Sequence, residues 1–372
     1  MQTERRNQSG NECGAALLLA IVALAAIGAM VAGTFLAGWL ELRSADAGRN
    51  ALTALEAAEA GLAQASAAWQ PGLNRLPAGT DSLAAIGSLA HGGYRATISR
   101  LGDALFLIRS EGWREGPAGA RLSRRLAGVF MRPVALAVDH GSALTLLGAA
   151  ELWSADAVDG TDHVPAGWEA LCAGSAAVPP IRSGGSPVTA DSGPPPAVST
   201  DPAVTASTFT DFGGVTFDQL AGMAAHLVSG ILPPLAPSTV AGQCAESVAS
   251  NWGEPLTGPG SVPACARFLP LVYSPGDLAL TGGRGQGILL VRGDLDLSGG
   301  VALSGVVVVL GRVTTSGAGG RIAGTLLVAG GSGTTRLGPG TTVGYSSCAA
   351  GRALLANGVR LSRIPRGWAQ LY

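Results

Sequence analysis

Hydrophobic and polar positions divide this chain into stretches of different period. Residues 1–13 form a short polar head, and from Gly14 to Leu40 no residue carries a charge. About 27 residues of helix rise roughly 40 Å, enough to cross a hydrocarbon core of about 30 Å with some tilt. The pattern predicts one N-terminal membrane helix. A secretory signal peptide has a shorter apolar core and a cleavage site soon after it, whereas here the helical pattern runs on. Between Glu41 and Trp69 the chain is rich in helix formers and free of Pro, and Pro71 with Gly72 stops it. Leu55, Leu62 and Trp69 fall seven apart, with Leu52 three residues before the first, giving one narrow apolar stripe. The expectation is a single rod over 14–70 whose second half leaves the bilayer and packs through Leu52, Leu55, Leu62 and Trp69.

Beyond the rod the period shortens to that of strands. Tyr94–Arg100, Ala104–Ser110 and Arg121–Met131 read as a small antiparallel meander within 71–133. Short apolar runs and a polar loop fill 134–178. The Pro/Gly/Ser-rich stretch 179–215 reads as a linker. A helix over Phe217–Leu227 and Cys-containing loops occupy 216–267, and 349–372 is a C-terminal segment. Within 268–348 the sequence repeats: GlyIleLeuLeuVal begins at Gly287, GlyValValValVal at Gly305 and GlyThrLeuLeuVal at Gly324, spacings of 18 and 19 residues. Each unit has an apolar strand, a Gly corner and a second strand of alternating residues. One such rung cannot bury its own apolar side, but stacked rungs share a core, which is the logic of a β-solenoid. A β-sandwich also uses short strands and Gly turns without requiring the near-constant period. The fold class expected is α+β: a long N-terminal transmembrane helix, a small meander, and a mainly β region ending in a β-solenoid (β-helix).

Composition narrows the chemistry. Charged residues are 13% of the chain, net charge is −1, and all 24 cationic side chains are Arg. Without Lys there is no Schiff-base chemistry, no Walker Lys and no Lys general base. No basic run marks a nucleic-acid partner. Arg5 and Arg6 are offset by Glu4 and Glu12, and Arg43 and Arg49 follow the apolar run; the reading places the N-terminus inside. Cys13 precedes the apolar run, the wrong order for a lipid-anchored Cys. Of the four Cys beyond the helix (172, 244, 265 and 348), Cys244 and Cys265 bracket a short loop and form the candidate disulfide, with free buried thiols the alternative. No Cys/His spacing supports zinc.

Candidate sites each have a plainer reading. Asp294 and Asp296 lie two apart on an expected solenoid strand, with Asp277 upstream, an arrangement that could serve acid–base cleavage of a polysaccharide. The alternative is the solvated face of an alternating strand whose Leu295 and Leu297 point inward. Asp156, Asp159, Asp162 and His163 could offer oxygen ligands to calcium, but lack EF-hand spacing. Asp139, His140 and Ser142 are the triad residue types, too close in sequence to converge as a triad. Gly282–Gly287 does not match GxGxxG, and reads as a turn. Glu56 and Glu59 lie on the rod, as its polar side or as partners for a neighbouring helix. No catalytic residue, metal ligand or cofactor is assigned.

The polar head, the apolar helix and AlaGlyArgAsnAlaLeuThrAlaLeuGluAlaAlaGluAlaGlyLeu (Ala47–Leu62) resemble the N-terminal region of PilX-type minor pilins of type IV pilus systems. The strands to Met131 are similar to the sheet that packs on a pilin helix, and the remainder, with TyrSerSerCysAla (Tyr345–Ala349), resembles Gly-rich β-solenoid regions appended to such proteins. The Glu that most pilins carry five residues past the cleavage Gly is absent: Ala15 stands there relative to Gly10, and Leu19 relative to Gly14. The resemblance implies a structural, non-enzymatic protein of a type IV pilus or related secretion filament, held in the bacterial inner membrane with its bulk outside the cytoplasm. Its partners would be membrane lipid and other pilins along the helix. An envelope-anchored adhesin or scaffold is the alternative, and a β-helix polysaccharide-active enzyme a third.

Overall fold

A computed structural model describes residues 12–102, 104–194, 196–255, 262–331 and 333–371; most of the polar head, with Gly10, lies outside them. Helix α1 is one uninterrupted element, Glu12–Ala67. An 18-residue window of mean hydropathy 2.6 with none of its residues buried makes it long and apolar enough to cross a membrane. Its C-terminal part is covered by a sheet of β1 (Asp81–Leu89), β2 (Gly92–Gly102), β3 (Leu105–Glu115) and β4 (Arg121–Val134), antiparallel throughout. Strand β1 was not legible in SerLeuAlaAlaIleGlySerLeu, where small residues blur the alternation.

The buried stripe of the rod differs from the one expected. Leu62 and Trp69 are buried, at 5% exposure each, and Leu55 is half-buried, but Leu52 is 61% exposed. Ala54, Ala57, Ala58 and Ala65 carry the contact instead. The reason is close approach: a Cβ on Gly112 of β3 would lie 2.2 Å from both the Ala54 carbonyl and the Ala58 amide. Helix and strand meet backbone to backbone, so the helix carries small residues at the centre. The core closes with Ile98, Phe106, Ile108 and Val129, and Phe106 meets the Trp69 ring edge-on at 5.0 Å.

The rest of the chain stacks. Strands β5 (Leu144–Leu146), β6 (Ala150–Ser154), β7 (Val158–Asp159), β8 (Ile181–Ser183), β9 (Val188–Ser192) and β10 (Val198–Thr200) come first. After α2 (Phe217–Ala221) come β11 (His226–Leu227), β12 (Gly230–Leu232) and the small hairpin β13 (Thr239–Val240) with β14 (Gln243–Cys244). The repeats follow as β15 (Leu271–Ser274), β16 (Leu278–Leu280), β17 (Arg284–Val291), β18 (Leu295–Leu297), β19 (Val301–Val309), β20 (Val313–Thr315), β21 (Gly320–Val328), β22 (Thr335–Leu337) and β23 (Thr342–Tyr345). One sheet runs β10-β8-β5-β21-β19-β17-β15-β11, and the other β12-β16-β18-β20-β22-β6-β9. All these pairs are parallel, which the antiparallel sandwich alternative does not produce.

The two strand patterns have different burial. In the first sheet Leu289, Val291, Val307, Val309, Leu326 and Val328 face the interior of the stack. The intervening Ile288, Leu290, Val306, Val308 and Leu327 are buried on the opposite side, beneath Phe217 and Leu220 of α2 and Ala353 and Leu354 of the C-terminal helix α3 (Ser347–Ala356). Burial on both faces explains the continuous apolar runs. The second sheet buries Leu295, Leu297, Val313 and Leu337 inward and turns Asp296, Thr314 and Arg336 to the half-solvated side, hence its alternation.

Several segments lie elsewhere than the sequence indicated. The stretch 179–215 is no linker; it contributes β8, β9 and β10, because a coil borrowing its neighbour's core needs only one or two buried side chains, here Ile181 and Ser183. The expected helix over Phe217–Leu227 ends at Ala221, and His226–Leu227 is a strand of the stack. The C-terminal segment is α3 followed by β24 (Arg360–Leu371), which pairs antiparallel with β4 and completes the helix-bearing sheet. The chain thus enters the stack at β5, runs to one end, crosses to the other and returns, leaving from the middle at β23. Seven strand spacings of about 4.8 Å put that crossing at roughly 34 Å.

Candidate functional site

Two surfaces are built by this architecture: the bare apolar face of α1, and the solvated side of the stack with the polar clusters singled out above. Leu17, Leu24, Met30, Phe35 and Leu40 on α1 stand in the open, as do Glu56 and Glu59 farther along. Where the bare segment ends, the Arg43 guanidinium lies 4.0 Å from the centroid of the Trp39 ring. A Trp beside an Arg is the usual furniture of a membrane–water boundary, because each has an apolar body and a polar tip.

The carboxylates of the stack are held in a ladder. The Asp277 carboxylate accepts from the Asp294 amide at 2.8 Å, and that of Asp294 accepts from the Arg312 amide at 3.0 Å and from Arg312 Nε at 2.9 Å. Asp294 sits at the corner just before β18. Asp296 lies in the strand, within 3.4 Å of the Thr314 hydroxyl. The sequence separates them by two residues, but the fold gives them different partners one coil farther on. Asp294 braces successive corners, an arrangement that accounts for its carboxylate without a substrate.

Of the Asp156–His163 cluster, Asp156 is exposed, while Asp159, Asp162 and His163 are taken up internally. His163 Nε2 lies 2.7 Å from the Asp159 carboxylate, and that bond first, then the Thr161 amide, holds Asp159 below its usual range. Asp162 accepts from the Ser347 amide (2.8 Å) and hydroxyl (2.6 Å) and from the Ser175 amide. Burial raises its pKa, but these bonds outweigh burial, and the net shift is downward. It thereby fastens a loop to the start of α3. Among the described residues no group of three or more His, Cys, Asp or Glu converges as a metal site.

Asp139 and Ser142 do not form a triad with His140. The Asp139 carboxylate accepts from the Gly141 amide and from Arg182, His140 Nδ1 faces the Val138 carbonyl, and Ser142 is within reach of the Leu144 carbonyl and the Thr145 hydroxyl. Arg182 also reaches Asp201 at 3.0 Å; burial opposes its charge, but the two carboxylates prevail and its pKa is raised. Gly282–Gly287 leads into and along β17. The predicted Cys244–Cys265 disulfide is formed, and a second joins Cys172 to Cys348. Asn251, fully buried beside the first, donates to the Ser238 and Ala245 carbonyls and so pins the ends of the β13–β14 hairpin.

A joint missed from sequence connects the two surfaces. Buried Asn74 accepts from Trp69 Nε1 at 3.0 Å and donates to the Ala356 and Gly358 carbonyls at 3.0 and 2.9 Å. It ties the end of α1 to the hinge between α3 and β24. An Asn in a Pro/Gly-rich turn offers no periodic signal by which to find it.

No family model matches the chain, and no curated protein does. Among solved structures, the competence-associated pilin ComZ from Thermus thermophilus aligns at 13% identity, covering 87% of this chain and 98% of that one, with a TM-score of 0.22. Superposition at that level defines no common fold.

Proposed function

We propose that the chain is a membrane-anchored, pilin-like structural protein, a minor pilin or assembly component of a type IV pilus or related secretion filament, carrying a β-solenoid outward from the inner membrane. The observation that carries this reading is the division of one continuous helix into an uncovered apolar part and a part clasped by an antiparallel sheet. An apolar helix face left bare by its own chain must be covered by lipid or by other helices, and the residues Ala47–Leu62 resemble those of PilX-type stems. The solenoid adds a rigid body whose Asp159, Asp162 and Asp294 carboxylates are taken up internally, which favours presentation over catalysis.

The test is membrane crosslinking followed by affinity purification of the full chain from solubilised envelopes, expected to recover other pilins. If the helix is inserted but no pilin is recovered, the filament reading fails and the anchored adhesin or scaffold takes its place. N-terminal sequencing of the mature protein adds a second arm, since a start just after Gly10 or Gly14 is the mark of pilin processing. A glycan-cleaving activity lost in Asp294→Asn would be the sign of an enzyme.

A further inference from the structure

Positive charge is concentrated by the fold in a way the linear sequence hides. Residues 71–134 and 357–371, the sheet and its C-terminal strand, hold twelve of the 24 Arg but only four of the 25 acidic residues, a net of +8 against −9 for the remainder. This basic body sits directly after the membrane helix, and its orientation can be worked out. Phe106 of β3 packs on Trp69, while Gly112 packs on Ala54 and Ala58. Six strand residues advance about 20 Å and twelve helix residues about 18 Å. Helix and strand therefore run nearly alongside each other in opposite senses, and β3 travels back toward the bilayer.

The reach is sufficient. From Arg43, beside Trp39 at the boundary, to Ala54 is eleven residues, about 16 Å of helix. Past Gly112, β3 continues to Glu115, about 10 Å, and the turn of Gly116–Ala120 goes farther. The β1–β2 turn ends beside it, the two together lining one groove that includes Leu89, His91, Arg114 and Leu122. At this tip four arginines, Arg114, Arg121, Arg124 and Arg125, outnumber two acids, Glu111 and Glu115. Glu111 pairs with Arg124 at 2.9 Å and with Arg121 at 3.6 Å, and Arg121 also lies over the Trp113 ring. Leu89 and Leu122 are about half exposed.

We propose that the β1–β2 and β3–β4 turns rest on the anionic headgroups of the membrane that α1 crosses, with the Arg side chains on phosphate and Leu89 and Leu122 dipping into the interface. The proposal rests on the membrane reading of α1. Charge complementarity and reach select this occupant: a net positive, apolar-tipped edge held at headgroup level by its own anchor meets a surface of opposite charge. Such a contact fixes the tilt of the stem.

The test uses the full chain in lipid nanodiscs, with and without phosphatidylglycerol, read by hydrogen exchange. Amides of 88–92 and 113–123 should exchange more slowly in the anionic discs, by about five-fold for each arginine engaged, and the difference should vanish at high salt. Arg121→Gln/Arg124→Gln/Arg125→Gln should abolish the difference, while Arg336→Gln on the stack leaves it. Equal exchange in both discs, with 16–40 protected, overturns the proposal. Absence of protection over 16–40 overturns the membrane reading beneath it. Should the triple variant lose protection at Ile108 and Val129, two chains that keep every arginine still decide: quenching by headgroup-labelled anionic lipid must be greater in the unmodified chain than in Trp113→Phe, the difference being that of Trp113 alone among the seven Trp, and equal quenching refutes the contact.

Discussion

Gly305→Ala isolates what the repeat demands. Gly287, Gly305 and Gly324 stand in register on neighbouring strands, each at the crease where the long strand bends. Their φ values are +114°, +137° and +145°, outside the small left-handed region that an L-residue can enter. A Cβ at Gly305 would also sit 2.1 Å from the Gly287 carbonyl oxygen and 3.1 Å from Ala353 of α3. Backbone strain of about 1–3 kcal/mol and overpacking of about 1–3 kcal/mol put the cost near 4 kcal/mol. Gly300 in the same coil provides the comparison. Its φ of +71° is left-handed and no atom lies within 4 Å of its missing Cβ, so Gly300→Ala should cost only about 1–2 kcal/mol. Urea unfolding of the full chain in detergent, followed by exchange of the 284–328 amides, measures both. A Gly305→Ala cost no larger than that of Gly300→Ala would refute the stacked-crease account.

Three further outcomes are expected. Leu62→Ala should cost about 2–5 kcal/mol, and Leu52→Ala, at a 61% exposed position, almost nothing; equal costs in thermal melts would mean that the rod packs on its expected stripe after all. Asp162 has a folded-state pKa below its ordinary 3.8, so its contribution to stability is complete above that value and is lost as pH falls through the lower, folded one. Acid titration of unfolding should therefore lose part of its slope in Asp162→Asn, and an unchanged slope would show that the carboxylate is not fastening α3. Replacing both Cys172 and Cys348 by Ser opens a loop of 176 residues, against 21 for Cys244 and Cys265. Chain-entropy arithmetic then gives losses of about 5 and about 3 kcal/mol; the reverse order in urea midpoints would mean that loop closure is not the source.

What could be read in the sequence was what neighbouring residues decide. IleLeuLeuVal against LeuAspLeu states which strand is buried on two faces and which on one, and the recurring Gly marks the crease. The stem was legible down to Leu62 and Trp69, but a search for large residues selects Leu52 over Ala54 and Ala58, because the sequence of α1 does not contain Gly112, whose missing side chain sets the approach. Parallel pairing was harder still. Strand β5 places Leu144 beside Leu326, 182 positions away, and three residues of pairing leave no periodic trace among the Pro, Ser and Gly of 179–200. The polar clusters show the same limit: Asp294 and Asp162 have acceptor chemistry that suits a site, and only the fold reveals Arg312 and Ser347 already in place.

The chain path gives Asn74 an importance out of proportion to its size. Since the stack is entered at β5 and left at β23, both in its middle, stem and stack are joined by two adjacent crossings, Val134 to Leu144 and Tyr345 to Arg360, while β4 and β24 pair with each other. Both covalent crossings lie here, with the Arg75–Glu246 ion pair at 3.2 Å and Arg75 over the Phe268 ring as further ties. There the Asn74 amide holds Trp69 at the end of the rod and two carbonyls of the hinge, in a site 7% exposed. Asn74→Ala removes three hydrogen bonds and leaves buried partners without one, a cost of about 3 kcal/mol. The loss falls on coupling, because the core of the stem and the core of the stack are left whole. Melting of the full chain should change from one transition to two, with new protease cleavage near 357–360 and unchanged exchange within 288–328. A single transition with the cleavage pattern of the unsubstituted chain would show that the joint is carried without Asn74, by β4–β24 pairing and the Arg75 contacts.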